Sequence, residues 1–178
     1  MVILRDMIES DIEDYVRWFT SEVDWMNYDA PWESIDQNIS IEEERKSWKE
    51  YFESVKDITD EEIRWKYEIE YDGKHVGWVS RYFDLDYLDN VDKIPAIGID
   101  IPEVSIYNNG VGTKALTLFI DYLKTKGYKS LFLQTWSGNT RMMHVAEKLG
   151  FKIYYVKKDY RIVKDNKYNA ITFKLDII

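Results

Sequence analysis

Residues 96–136, "AIGIDIPEVSIYNNGVGTKALTLFIDYLKTKGYKSLFLQTW", constrain the fold of this chain more than any other stretch. An apolar run, "AIGIDI", gives way to a turn rich in asparagine and glycine. Ala115, Leu116, Phe119, Ile120 and Leu123 then share one face at helical spacing, and Gly127 stands where a helix stops. "KSLFLQTW" is a nearly continuous apolar strand, the pattern of a strand buried on both faces. A strand, a helix and a strand in this order require a sheet with the helix packed against it. One residue resists the pattern. Asp100 lies between Ile99 and Ile101, although aspartate is depleted in strands and costly to bury without a partner.

The remaining elements fit around this unit. Residues 2–7 read as a first strand. Ser10 and Glu13 have capping-box spacing ahead of a helix whose face carries Ile12, Tyr15, Val16 and Phe19. Ser40 and Glu43 repeat that spacing before a second helix reaching about residue 55. Residues 64–71 alternate as a strand, Asp72-Gly73 is a hairpin turn, and 75–83 return as the paired strand. "GNTRMMHVAEKLG" is a further helix, and the chain closes with a hairpin turning at Asp165-Asn166. The order is strand, two helices, three strands, helix, strand, helix, two strands. That is a single domain over residues 1–178, with a mixed α/β sheet.

Composition narrows the chemistry. There is no cysteine, which removes disulfides, cysteine zinc sites and thiol nucleophiles. His75 and His144 have no ligand spacing and no EF-hand loop is present, so no metal is expected. The start of the chain does not read as a signal peptide, and no apolar run reaches membrane-spanning length, so a cytoplasmic location without membrane contact is expected. The net charge of −9 is unevenly spread. Residues 1–90 carry 25 acidic and 10 basic residues, and residues 91–178 carry 8 and 14. The overall balance argues against nucleic acid as a partner. An acidic half suits a cationic ligand and a basic half suits phosphates, although solvated acidic helix faces would leave the same imbalance.

The turn "YNNGVG" has the chemistry of an anion-binding nest at a helix N-terminus, because Asn and Gly tolerate positive φ. The Lys-Ser/Thr pair of a P-loop is absent. Gly110-x-Gly112-x-x-Ala115 fits a loose dinucleotide fingerprint, but the next strand ends in Gln134-Thr135-Trp136, without the acidic residue that would hold a ribose.

Two motifs together resemble the GNAT superfamily of acyl-CoA-dependent N-acyltransferases. "YNNGVG" is similar to the glycine part of its acyl-CoA motif, and Asn139 with Glu147-Lys148-Leu149-Gly150-Phe151 is similar to its second motif. The resemblance implies a mainly antiparallel sheet of about seven strands, splayed in the middle and flanked by about four helices. It implies acetyl-CoA as cosubstrate. The backbone from Asn108 through Asn109, Gly110, Val111, Gly112 and Thr113 would hold its pyrophosphate. The strand ending at Ile101 would bond its pantetheine arm, and Asn139 would touch that arm near the thiol. Lys114, Arg141 and Lys148 add cations near these motifs. There are two departures from the pattern. Tyr107 stands where the motif leads with Gln or Arg. Ala146 stands where many relatives place a tyrosine that protonates the thiolate. A thiol with a pKa of about 8.5 leaves tolerably without such an acid; Tyr107 and Tyr154 are the candidate substitutes.

"GID" before the splay, after "YEIEYDGKHVGWVSRYF" and an acidic loop, also resembles the aminoglycoside 6′-N-acetyltransferases, in which an aspartate at that place meets the substrate amine. Asp100 is therefore the expected base and ammonium anchor, with Glu103 the other carboxylate at the strand. The segment 22–33 sets Trp25, Tyr28, Asp29, Trp32 and Glu33 in the expected acceptor site, where rings and carboxylates suit a cationic amine. Asp84, Asp86 and Asp89 would add to the same field. The reading is a direct, ternary-complex N-acetyltransferase acting on a small cationic amine of aminoglycoside or polyamine type, as a monomer or homodimer. Two alternatives stay open. "GNTRMMHVAEKLGF" also looks like the ribosomal-protein alanine acetyltransferase branch, and the missing tyrosine would suit a CoA-binding module without turnover.

Overall fold

The computed structural model describes residues 1–33 and 40–177. Among these, seven strands form one sheet in the order β1-β2-β3-β4-β5-β7-β6. The strands are β1 Val2–Arg5, β2 Lys66–Tyr71, β3 Lys74–Tyr82, β4 Ala96–Asp100, β5 Ser130–Trp136, β6 Lys152–Val163 and β7 Asn166–Asp176. Every neighbouring pair is antiparallel except β4 and β5, which run parallel. Five helices accompany them: α1 Asp11–Thr20, α2 Met26–Asp29, α3 Ile41–Val55, α4 Val111–Thr125 and α5 Thr140–Lys148. The one not expected from sequence is α2, a single turn too short for a periodic signal. No helix among the described residues is long and apolar enough to cross a membrane.

Local chemistry explains most of the boundaries. Ser40 and Glu43 form the reciprocal capping box that opens α3. Ser10 does not cap α1. The Asp11 carboxylate takes the neighbouring role, accepting from the Ile8 N–H at 2.9 Å while Arg5 grips both its oxygens. The β2–β3 hairpin turns on Asp72-Gly73, both at positive φ. The last hairpin turns one residue earlier than expected. Lys164 and Asp165 adopt the positive φ values, and Asn166 already belongs to β7.

The two faces of the sheet are packed differently. On one, Ile69, Val76, Val79 and Ile97 meet Val111, Ala115, Leu116, Phe119, Ile120 and Leu123 of α4. On the other, Tyr15 and Trp18 of α1 and Trp25 pack on Trp78, with Trp48 of α3 beside them. A bulge between β2 and β3, beside Ile69 and Glu70, brings His75 onto the same face as Trp78. Gly77 lies in the bulge at φ +156°, and a Cβ there would sit on the backbone of Asp100 and Ile101. The end of β4 can approach β3 only because this residue is glycine.

β4 and β5 share a single residue pair, Ala96 with Phe132, supported by a hydrogen bond from the Phe132 N–H to the Pro95 carbonyl at 2.8 Å. Past that point the strands part.

Candidate active site

A cavity of about 1120 Å³ opens where β4 and β5 separate. Its two ends are built from different material.

One end is the turn before α4. Asn108 and Gly110 both take left-handed backbone, at φ 64° and 76°, and Gly110 is the N-cap of the helix. The first N–H groups of α4 have no partner within the helix, so this terminus is suited to an anion. Asn108, Gly110, Val111, Gly112 and Thr113 line the cavity. Asn109 differs from the expectation: its N–H turns back to the Ile106 carbonyl, and it is absent from the lining. Arg141, His144 and Lys148 of α5 line the same end, whereas Lys114 does not. The Arg141 guanidinium lies 3.9 Å from the Tyr28 ring centroid and 4.5 Å from that of Tyr107. Among the described residues no carboxylate pairs with it.

Ile101 lines the cavity at the mouth of the gap, and its carbonyl accepts from the Tyr107 hydroxyl at 2.8 Å. Burial pushes the Tyr107 hydroxyl up to about 12, so it is protonated at neutral pH. Asn139 caps α5, with Oδ1 accepting from the Met142 N–H at 3.1 Å and Nδ2 donating to the Tyr28 carbonyl at 2.9 Å. The Trp136 indole donates to the same carbonyl at 3.0 Å. These bonds seat the segment carrying Tyr28 against the end of β5 and the start of α5. Ala146 is fully buried in the α4 core, and Tyr154 lies outside the cavity, its ring tilted against Phe132 at a centroid distance of 5.1 Å.

The other end is acidic and aromatic. Trp25, Tyr28, Asp29, Trp32, Glu33, Asp84, Asp86 and Asp100 all line it. Asp89 and Glu103 do not. Glu103 is held behind the wall by Arg17 at 2.7 Å and by the Trp18 indole at 3.2 Å. Asp86 is ion-paired with Arg161 from β6, whose guanidinium also stacks on Trp32 at 4.0 Å. Tyr82, Tyr87, Ser80 and Gly98 complete this part of the wall. These four residues were not anticipated from sequence; Gly98 is the signal that could have found them, since glycine inside a strand marks room or close approach.

Asp100 is the last residue of β4 and faces Trp78 across the β3–β4 ladder. Asp29 is exposed and Asp100 is half-buried, and both line the cavity with protein packed around them. Burial, reinforced by the charge of Asp29, pushes the Asp100 carboxyl well above the ordinary carboxylate range, while Lys66 and the Trp78 indole oppose the shift. Burial and the nearby Glu33 raise Asp29 as well. Carboxylates that repel one another in a recess favour a cation between them.

A sheet opened at its one parallel pair, with an anion-ready helix terminus beside an acidic recess, has the architecture of an acyl-CoA-dependent N-acetyltransferase. The chain belongs to the acetyltransferase (GNAT) domain family, whose model matches residues 1–152. No curated protein sequence matches it. An N-acetyltransferase from Staphylococcus aureus Mu50 is similar in structure, with a TM-score of 0.70 and 15% identity over 99% of this chain and 98% of that one. A ribosomal-protein-alanine N-acetyltransferase from Brucella melitensis gives a TM-score of 0.69 at 15% identity, over 98% of this chain and 99% of that one. A ribosomal L7/L12 alpha-N-protein acetyltransferase in complex with coenzyme A gives 0.71 at 16%, over 99% and 94%. At these identities the likeness is one of fold.

The family uses acetyl-CoA, and the residues present fit it. The left-handed turn at Asn108 and Gly110, the gap between β4 and β5, and the cations of α5 lie along one wall of the cavity. When bound, acetyl-CoA supplies the acetyl group as a thioester.

Proposed function

We propose that this protein acetylates a primary amine of a small cationic acceptor, of aminoglycoside or polyamine type, by direct transfer within a ternary complex. The observation that carries the reading is the separation of charge along one cavity. The cations Arg141 and Lys148 stand at the end next to the α4 turn. Asp29, Glu33, Asp84, Asp86 and Asp100 stand at the other, with Arg161 the one cation among them in the described residues.

Each group then has a role. The N-terminus of α4 and the α5 cations hold phosphate charge. Tyr28 and Trp32, whose rings already carry Arg141 and Arg161, bound the recess with the buried Trp25, and Asp29 with Glu33 anchors the charge of the cationic acceptor. Asp100 accepts the proton that the ammonium must lose before the nitrogen can attack. A carboxylate with a raised pKa is the stronger base, so the environment of Asp100 suits that task. Alignment of the two reactants supplies much of the remaining acceleration. Tyr107 holds a proton next to Ile101 and is the candidate donor to the departing thiolate.

A thiol-release assay with acetyl-CoA and a panel of amines tests the proposal. Turnover with di- and polycationic amines above that with neutral amines is expected. Turnover confined to peptide N-termini would move the acceptor to the class named for the two ribosomal-protein enzymes of similar fold.

A further inference from the structure

Lys66 is a buried cation that the reaction as drawn does not use. It lies on β2, with its side chain 5% exposed. Its ammonium is enclosed by four rings, with centroids at 4.2 Å for Tyr15, 4.9 Å for Trp48, 5.0 Å for Tyr51 and 5.1 Å for Trp78. Glu68 stands 3.5 Å away. Glu68 is itself fully engaged, accepting from the Tyr15 hydroxyl at 2.5 Å and from His75 Nε2 at 3.0 Å. A buried ion pair is seldom worth more than well-packed apolar residues of the same volume. Stability alone therefore gives little reason for a lysine here.

The sheet order gives another reason. β3 lies between β2 and β4, and Trp78 of β3 pairs with Glu68 on one side and Asp100 on the other. The same indole that walls the lysine cage is thus the cross-strand neighbour of Asp100. Two residues back, Lys66 pairs with Ser80 and Ser80 with Gly98, so no side chain from β4 stands beside that row. A cation over an indole draws electron density from the ring and makes its N–H a better donor. In a region with little water its field also reaches further than it would at a surface.

We propose that Lys66 is a positioning residue for Asp100: the caged ammonium, acting across the Trp78 indole, favours the carboxylate form of Asp100 at the acceptor end of the cavity, against its burial and the nearby Asp29. The groups that surround the pair are Asp11 and Tyr15 from α1, Asp29 from α2, Tyr51 from α3, Glu68 on β2 and His75 on β3. Of these, Glu68 and Asp11 favour the charged lysine, and Asp29 opposes the charged Asp100. Lys66 and Asp100 each favour the other's charged form, while burial, the larger effect on both, pushes the ammonium down and the carboxyl up. The inference rests on the proposed function only for its catalytic consequence. The electrostatic link exists whatever the acceptor.

The test is the titration of Asp100 by carbon NMR of protein labelled at the aspartate carboxyl, with the resonance assigned through Asp100→Asn. Lys66→Met should move the Asp100 midpoint up by about one pH unit, and Lys66→Arg should restore it. The acidic limb of kcat/KM for the best amine should shift by the same amount, with KM for acetyl-CoA unchanged. A lysine that only stabilises the fold would lower the denaturation midpoint and leave the Asp100 titration where it was, and that result would overturn the proposal. If Lys66→Met does not fold, the reciprocal measurement decides. The Lys66 ammonium, followed by nitrogen NMR, should titrate at lower pH in Asp100→Asn than in wild type, and an unchanged midpoint would overturn the link. If the NMR shifts appear while Asp100→Asn retains full activity, the positioning effect stands and the assignment of Asp100 as base falls.

Discussion

The two faces of the sheet bury their interiors by different means. Under α4 the core is aliphatic and phenyl, with Leu116, Phe119, Leu123, Leu131 and Phe173 all nearly or fully inaccessible. Under α1 and α3 the interior mixes rings with charge: Asp11, Lys66, Glu68 and His75 are buried among Tyr15, Trp18 and Trp78. The first face needs only shape, and it holds the helix whose N-terminus follows the left-handed turn at Asn108 and Gly110. The second holds ionised groups at a desolvation cost that each must offset through a partner. It adjoins the acidic end of the cavity. In this protein the side that turns backbone N–H groups toward the cavity is built of hydrocarbon, and the side that lines it with side-chain charge is itself charged inside.

That contrast can be broken or sharpened by mutation. The largest effect is expected under α4, where Phe119→Ala should cost about 3–5 kcal/mol in chemical denaturation, with no dependence on pH. A loss below about 1 kcal/mol would mean that this face is not the dry core described. The opposite face should respond to pH instead. His75 faces Glu68, Asp14 and Asp11, and these partners outweigh burial to raise it from 6.5 to about 9. Its folded pKa lies above its unfolded one, so its contribution is fully present below pH 6.5 and is lost as pH rises through about 9. The loss should approach about 3 kcal/mol at most, and His75→Gln should flatten that slope. Gly110→Ala should cost about 1–2 kcal/mol for the left-handed backbone and should raise KM for acetyl-CoA more than KM for the amine. Ser40→Ala, which removes the cap of α3, should cost about 1 kcal/mol and leave both constants alone.

The sequence was most informative where one local rule decides the outcome. The α4 face, the Asp72-Gly73 hairpin, the Ser40 cap and the Asn-Gly turn follow from spacing and φ preference. They appear in the structure within a residue or two. The Ser10 cap did not, because a tertiary partner, Arg5, fixes the neighbouring Asp11 and that carboxylate binds the backbone instead. In the site, the turn and the acidic aromatic segment were legible because each is continuous in sequence. The caged Lys66 was not, since its four rings come from α1, α3 and β3 and no spacing links them. Glu103 shows the same limit in reverse. It looked available beside the strand, but Arg17 and Trp18, some 85 positions earlier, already hold it.

The central claim is that one cavity receives phosphate charge at one end and a cationic amine at the other, with Asp100 taking the proton between them. Steady-state kinetics of Asp100→Asn with the best amine at neutral pH tests it most directly. The account predicts a fall in kcat/KM for the amine of about 100-fold or more, with KM for acetyl-CoA unchanged. An Asp100→Asn enzyme with wild-type kcat/KM for that amine would contradict it.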